Sequence, residues 1–383
     1  MLLSMSIIPL KATFVHLHTH SHYTLLGALP TPKELAKAAK EDGQDALALT
    51  DAGALYGAID FYKACQKEGV KPIIGLDAYL APRTRHDKEA MIDKPRARLV
   101  LLAKTFTGYQ NLIQLVTKSN LEGFYYKARL DEELIKEYAK DLICIIPSFA
   151  GEVAQALKED DQEKAAERLD WYKGVFGDDC YLELTHHLEL FDHTQNQKKI
   201  VELSRISSTP LVAAHDVYYL KPEDRIARET MVKIQNGGVV DTTSDQGAEE
   251  NFSFISQAVA AEKFKDTPEA LINTIKIAQA CNVEIEIGTH WYFPDYKIES
   301  GREPDDELQV TSYAGVTWRG LSLEDPIIKE RLDYELKVIK DKGYAKYFLV
   351  VGDLLREARE RGILTTIRGS VAGSLTTYVL GIT

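Results

Sequence analysis

The sequence predicts an α/β fold, either a parallel barrel or a doubly wound sheet, followed by a second unit of different character. Apolar runs of strand length alternate with amphipathic helical segments from residue 11 to about 220. One of those runs carries four histidines at every second position. Beyond residue 326 the chain turns helical and basic, against the sign of the whole.

The expected strands are Thr13–Leu17, Ala46–Thr50, Pro72–Leu80, Leu99–Ala103, Leu142–Ile146, Cys180–Leu184 and Pro210–Ala214. Between them, Pro32–Asp42, Tyr56–Lys67, Thr107–Asn120 and Asp160–Phe176 carry helical periodicity. In barrels of this kind the chemistry collects where the strands end, on the loops at their carboxyl ends. A second unit begins near Phe254, with an amphipathic helix at Thr267–Cys281 and an irregular, proline-containing connection over Tyr292–Glu307.

The histidine run is Phe14-Val15-His16-Leu17-His18-Thr19-His20-Ser21-His22. Alternate residues of an extended strand share a face, so all four imidazoles are expected to point one way. A rise of roughly 3.3 Å per residue separates His18 and His20 by about 6.6 Å, within reach of one metal ion or of adjacent ions. A lone histidine is more often a core or surface residue; four on one face point to a metal site.

The chain has 383 residues, 45% hydrophobic and 27% charged, with a net charge of −12. That balance excludes a general nucleic-acid-coating protein, which needs clustered Lys and Arg, although a local basic groove is compatible with it. The four cysteines lie far apart with no CxxC pair, so neither a zinc ribbon nor a disulfide framework is expected. No apolar run approaches the roughly 20 residues that span a bilayer. The start, MLLSMSIIPLKATF, has neither a basic opening nor a small-residue cleavage site. A cytoplasmic protein without a signal peptide is expected.

Between Lys329 and Arg368 lie ten Lys/Arg and seven Asp/Glu. The segment ends in the Gly/Ser-rich turn Arg368-Gly369-Ser370-Val371-Ala372-Gly373-Ser374, ahead of an expected helix. Small residues let backbone N–H groups approach phosphate oxygens, and a helix start favours the anion. The turn is not a Walker A loop, because no Gly-Lys-Ser/Thr is present. By itself it reads more readily as an ordinary loop than as a phosphate site.

Taken together, these pieces resemble the bacterial replicative DNA polymerase III alpha family, from about Phe14 to Thr383. The matching segments include His16-Leu17-His18-Thr19-His20-Ser21, Ala48-Leu49-Thr50-Asp51, Lys71-Pro72-Ile73-Ile74-Gly75, Leu101-Leu102-Ala103-Lys104 and Gly108-Tyr109-Gln110-Asn111-Leu112. Gly151-Glu152-Val153, Tyr181-Leu182-Glu183-Leu184, Tyr334-Glu335-Leu336, Tyr347-Phe348-Leu349 and Arg368-Gly369-Ser370 follow in order. The resemblance implies a PHP (polymerase and histidinol phosphatase) domain over residues 1–253, a distorted (β/α)7 TIM-like barrel with its core at about 13–220. A connector and the incomplete start of an α+β polymerase palm domain would fill 254–383.

Active PHP domains of that family hold a metal cluster with His, Asp, Glu and Cys. His18 and His20 match its His-x-His, Asp77 stands for a usual Glu, and Asp216 opens its Asp-x-His. Elsewhere the pattern is broken: Ala52 replaces a His, Arg98 a His, Ser148 a Cys and Tyr218 a His, and an acid near Gly27 is missing. Ala52 offers no donor, Arg98 brings a fixed positive charge, and Ser148 and Tyr218 are weak neutral ligands. The surviving His18, His20, Asp77 and Asp216 would hold at most one divalent ion loosely, whereas hydrolysis by paired metals needs two ions about 3.5–4 Å apart. An inactive barrel is therefore expected, structural or docking a separate proofreading exonuclease. An intact ring of five or more donors around one centre near His18 would contradict this. His22, His186, His187 and His215 are expected to be structural or solvent-facing.

In the same family the glycine-rich stretch handles the incoming nucleotide, which makes Arg368, Gly369, Ser370, Gly373 and Ser374 the candidate phosphate contacts, with Ile367 where the family usually has Gly. The polymerase aspartates, which use Mg2+, lie downstream in the family, so no catalytic residue is expected within this chain. Primer-template DNA, dNTP and other replisome subunits are the partners implied for the full-length protein, and no membrane. Truncation inside a sheet would leave unsatisfied apolar surface near Leu375–Ile382. The rival functions are a metal-dependent PHP phosphoesterase or 3′–5′ exonuclease, and a stand-alone interaction module.

Overall fold

The computed structural model describes residues 12–187, 192–235, 237, 251–288, 292–294 and 296–383. The amino-terminal stretch 1–11 and residue 295 of the expected connection lie outside the described residues. The chain divides into two units, Met1–Ile285 and Glu286–Thr383.

Among its described residues the first unit is built on eight strands: β1 (Ala46–Leu49), β2 (Lys71–Leu80), β3 (Ala97–Ala103), β4 (Phe124–Tyr125), β5 (Lys127–Leu130), β6 (Leu142–Ile146), β7 (Cys180–Leu184) and β8 (Leu211–Ala213). Their order is β4-β5-β2-β3-β6-β7-β8, with β1 also on β2. The long β2 shares one edge between β1, along Lys71–Ile74, and β5, at Tyr79 and Leu80. The expected strand at 13–17 has no ladder of its own, yet it closes the barrel. His16 O accepts from Ala48 N–H at 2.9 Å and Thr19 O from Thr50 N–H at 2.8 Å, while His20 N–H donates to Val217 O at 2.9 Å on the other side.

Three steps from His16 to Thr19 therefore match two from Ala48 to Thr50, the signature of a bulge. This irregularity corrects the expectation that all four histidines share a face. Val15 and Leu17 join an apolar layer with Ala48, Ile73, Val100, Leu102, Ile143, Ile145 and Val212, while His18 meets Asp77. The His16 ring goes elsewhere, to Ile255 O at 2.9 Å and against Phe254. His22 is exposed.

The α/β barrel is present, but it is not parallel throughout. β3 runs antiparallel to both β2 and β6. The link from Ala81 to Arg96 contains no helix, and a chain that returns without a crossover helix pairs antiparallel. This link is fastened by the fully buried Arg129, whose guanidinium donates to the carbonyls of Gly123, Asp93, Arg85 and Asp87. The hairpin β4–β5 and the helices Glu132–Tyr138, Glu152–Lys158, His193–Ser207 and Arg225–Gln235 were not foreseen. The helices that were foreseen form at Pro32–Glu41, Ala58–Glu68, Phe106–Leu121, Gln162–Phe176 and Pro268–Ala280.

Sequence reading assigned 254–285 to the connector; here these residues pack on the barrel. In helix Pro268–Ala280, Thr274 Oγ1 accepts from Val15 N–H at 3.2 Å and Asn273 donates to Leu211 O at 2.7 Å. Ile277, Ala278 and Cys281 join the same apolar layer as Leu17.

The second unit contains helices Pro304–Trp318, Pro326–Asp341, Ala345–Glu360 and Leu375–Val379, and no strand among its described residues. Leu308, Ile339, Ala345 and Leu349 form one small core, and Val316, Leu332 and Val379 another. The expectation of bare apolar surface at 375–382 is thereby corrected. Thr376, Thr377, Val379 and Ile382 are buried, and Arg319 donates to Tyr378 O and Thr383 O at 2.8 and 2.7 Å. Helical hydrogen bonds are satisfied within the segment, so no sheet edge is left open.

Gly75 on β2 sits two residues before Asp77, where an added Cβ would lie 2.5 Å from a Leu102 methyl and 2.9 Å from Leu101 O. Gly75→Ala is expected to cost about 1–3 kcal/mol by overpacking, read as a lowered urea midpoint with an unchanged slope.

Candidate functional site

The site begins with Asp77, a buried carboxylate inside β2. A charge there is tolerable only if it is surrounded by donors. Arg98, its near neighbour on antiparallel β3, donates from Nε to Oδ1 at 2.8 Å and from Nη2 to Oδ2. His18 Nε2 lies 3.3 Å and His20 Nε2 3.1 Å from Oδ2. Burial opposes ionisation of Asp77, but the charge of Arg98 and then the two imidazoles outweigh it and hold its pKa well below the usual carboxylate range.

The other side of His18 meets two more carboxylates. Its Nδ1 is 2.9 Å from Glu183 Oε1 on β7 and 2.9 Å from Asp216 Oδ1 after β8. Both ring nitrogens thus face carboxylate oxygens, which favours the doubly protonated ring. Burial works against that charge, yet Asp216, Asp77 and Glu183 hold the His18 pKa well above its ordinary value. Burial opposes ionisation of Asp216, but the charge of His18 and its hydrogen bond bring the pKa down to about 2. Glu183 moves the other way, pushed up by burial and by the neighbouring charge of Asp216.

Of the expected ligands, His18, His20 and Asp77 form one group, and His18 forms a second with Asp216 and Glu183. Glu183 was missed by sequence reasoning. The available signal was a single acid at an inward position of the otherwise apolar β7. Five donor side chains meet here, but in two groups that share His18 rather than around one centre. The donors of His18, Glu183 and Asp216 fit one divalent ion: one imidazole and two carboxylates, they lie within 4.8 Å of one another. The group at Asp77 does not fit a second ion, because Arg98 already holds both of its oxygens.

The four broken positions have other occupations. Ser148 donates from its backbone N–H and hydroxyl to Glu183 Oε2 at 2.8 and 3.2 Å, so it positions that carboxylate. Tyr218 stacks on the His20 ring at 4.3 Å, its hydroxyl pushed up to about 12 by burial and then by the charge of Asp216. Ala52 bridges to Asp77 through the backbone alone. Arg98 supplies the charge that balances Asp77. His187 and His215 are buried and stacked at 4.9 Å, which is a structural role.

In the second unit, Arg368, Gly369, Ser370 and Gly373 are exposed, around a short 3₁₀ turn at Ser370–Gly373. Ser374 corrects the expectation of a hydroxyl free for phosphate. It donates to Glu335 Oε2 at 2.8 Å while capping the final helix through Thr377 N–H. Glu335 also accepts from the backbone N–H groups of Leu375 and Thr376 at 3.2 and 2.8 Å. A carboxylate of this chain already sits where an anion at that helix start would bind.

Residues 16–187 match the PHP domain family, and residues 306–383 match the bacterial DNA polymerase III alpha NTPase domain. The chain is 37% identical to the DNA polymerase III subunit alpha of Borreliella burgdorferi, over 97% of this chain and 33% of that protein. Residues 16–187 thus carry a PHP domain, and the chain is similar along its length to DNA polymerase III alpha subunits. The corresponding subunits of Treponema pallidum and Aquifex aeolicus are 36% and 34% identical over 97% of the chain. The chain spans about a third of the length of these relatives. Among solved structures it is similar to a two-domain protein containing a predicted PHP-like metal-dependent phosphoesterase from Bacteroides vulgatus. That likeness has a TM-score of 0.33 and 14% identity, covering 55% of this chain and 53% of the other.

Arg98→Gln leaves Asp77 buried without its cation and is expected to cost about 3 kcal/mol in urea unfolding near neutral pH. Because the folded-state pKa of Asp77 is depressed, its contribution is present above the ordinary Asp pKa of about 4 and is lost as pH falls below it. The wild-type urea midpoint should therefore drop on acidification, and that of Arg98→Gln should drop less. Glu335→Ala, which strips the final helix of its acceptor, should cost about 1–3 kcal/mol and raise amide exchange at Leu375 and Thr376.

Proposed function

We propose that this chain is the amino-terminal portion of a replicative DNA-directed DNA polymerase in which the PHP barrel is a scaffold rather than a working phosphoesterase. The identity of 37% along 97% of the chain supports the polymerase assignment. The observation that carries the scaffold reading is Arg98, whose guanidinium holds both oxygens of Asp77. Paired-metal hydrolysis requires an ion at such a position, and a fixed cation repels it.

In this reading the domain plan is a PHP domain, extended by the residues up to Ile285 that pack on it, then a connector and the first part of the polymerase palm. The full-length protein would use Mg2+, primer-template DNA and dNTP, and would work in the cytoplasm among other replisome subunits. The barrel would support the palm and offer a docking surface for a separate proofreading exonuclease. Exposed Arg368, Gly369, Ser370 and Gly373 would face the triphosphate, with Ser374 shaping the turn. Among the described residues no helix is long and apolar enough to cross a membrane.

His18, Glu183 and Asp216 would hold at most one divalent ion. Such an ion supplies Lewis-acid polarisation of a bound phosphoryl oxygen. The chain's own residues do the rest: Ser148 orients Glu183, and His20, stacked on Tyr218, meets Asp77 Oδ2 through Nε2.

Metal analysis of the purified chain is expected to give no more than one divalent ion per chain, abolished by His18→Ala. No chelator-sensitive release of nucleotides from single-stranded DNA and no primer extension by the chain alone are expected. Two or more tightly held ions together with chelator-sensitive nuclease activity would replace the scaffold by a 3′–5′ exonuclease.

A further inference from the structure

On the helix-covered side of the barrel, two thiols meet that the scaffold reading does not use. Cys144 on β6 and Cys180 on β7 stand directly opposite each other across the parallel pair. Adjacent strands lie about 4.7–4.9 Å apart, and disulfides usually join Cα atoms roughly 4.4–6.8 Å apart. The pair therefore meets the distance requirement without any change of register. Both side chains point outward, because Ile143, Ile145 and Tyr181 pack in the inner layer. The two thiols are hydrogen-bonded to each other.

The pair is sealed. Both cysteines are buried. Helix Gln162–Phe176 packs on both strands, and its Leu169, Tyr172 and Phe176 share one apolar cluster with the two cysteines. Tyr172 and Arg168 both donate to Glu152 Oε2, at 2.6 and 2.7 Å, and tie that helix to the start of Glu152–Lys158. Burial and then the neighbouring thiol push the Cys144 pKa well above its ordinary value. The thiolate is the reactive form, so the closed barrel protects the pair, and reaction follows local opening.

An apolar layer penalises both charge and added volume. A disulfide carries no charge and adds no atom, whereas a sulfinic acid would bring both. The place also bears on the site, since β6 leads to Ser148 and β7 carries Glu183, which are joined at 2.8 Å. Cys65 and Cys281 lie elsewhere, in helix Ala58–Glu68 and just after Pro268–Ala280, with no cysteine opposite them.

We propose that Cys144 and Cys180 are a peroxide-sensitive staple that closes reversibly across the seam between β6 and β7. One sulfur attacks a peroxide oxygen, the O–O bond breaks, and a sulfenic acid and one water result. The other sulfur attacks the sulfenic sulfur, the S–O bond breaks, and a second water leaves. Two thiols and one hydrogen peroxide thus give one disulfide and two waters, the peroxide taking two electrons from the sulfurs. This site goes beyond the scaffold reading and does not rest on it, since it needs neither a metal ion nor nuclease activity.

The test is treatment of the whole folded chain with hydrogen peroxide in EDTA, followed by unfolding, alkylation of the remaining thiols, intact mass measurement and peptide mapping. Loss of two hydrogen atoms is expected, with one cross-linked peptide joining Cys144 to Cys180 and with Cys65 and Cys281 alkylated. Dithiothreitol should restore the original mass. The oxidised chain should unfold at higher urea than the reduced chain, because the cross-link restricts the unfolded state. Cys144→Ala and Cys180→Ala should each abolish the mass loss and the urea shift, and circular dichroism checks that each variant is folded. The map of the unsubstituted chain decides the matter even if both variants fail to fold. Thiols unchanged by peroxide, or oxygen added to them without a cross-link, would overturn the proposal. So would a cross-link that forms only in the urea-unfolded chain, one that uses Cys65 or Cys281, or a cross-linked chain no more resistant to urea.

Discussion

Asp77 organises the mouth of the barrel. A carboxylate on an interior strand is costly unless it is met by cations and hydrogen bonds, and here Arg98, His18 and His20 all converge on it. Arg98 reaches it because β3 returns antiparallel beside β2, setting Val100 opposite Asp77 and Arg98 one pleat further along the same face. The two histidines reach it because the bulge at 16–19 turns His18 toward the interior while Leu17 stays in the apolar layer. Backbone pairing and side-chain charge thus depend on each other. The loop after β1 also joins Asp77 through the bridge from Ala52.

A second balance hangs on the same histidine. Glu183 and Asp216 are buried side by side, and two adjacent negative charges in a low dielectric resist joint ionisation. His18 sits between them and Asp77, so its positive charge serves three carboxylates. A single divalent ion and a protonated imidazole are alternative ways to neutralise the Glu183–Asp216 pair. At Asp77 there is no such choice, because guanidinium does not release its proton. On the scaffold reading, this one fixed cation would limit the pocket to a single ion.

The second unit uses the same logic at a smaller scale. Glu335 closes the final helix by accepting two backbone N–H groups and the Ser374 hydroxyl. A helix start that attracts anions is here satisfied internally, which leaves the exposed side of the turn, Arg368 to Ser370, as the part open to a ligand.

The sequence by itself determined the alternation that makes the barrel, the likeness to DNA polymerase III alpha subunits, the His-x-His pair, and the letters Ala52, Arg98, Ser148 and Tyr218 where that resemblance implies metal donors. All of these are local: periodicity follows from 3.6-residue and two-residue repeats, and a missing donor is visible as a letter. The tertiary structure alone decided the rest. That Arg98 is the partner of Asp77 depends on strand direction, which no periodicity encodes. That Glu183 belongs to the site depends on β7 bringing it beside Asp216, residues far apart in the chain. That His16 leaves the site follows from one bulge, which reverses faces within a run whose alternation implies a single row.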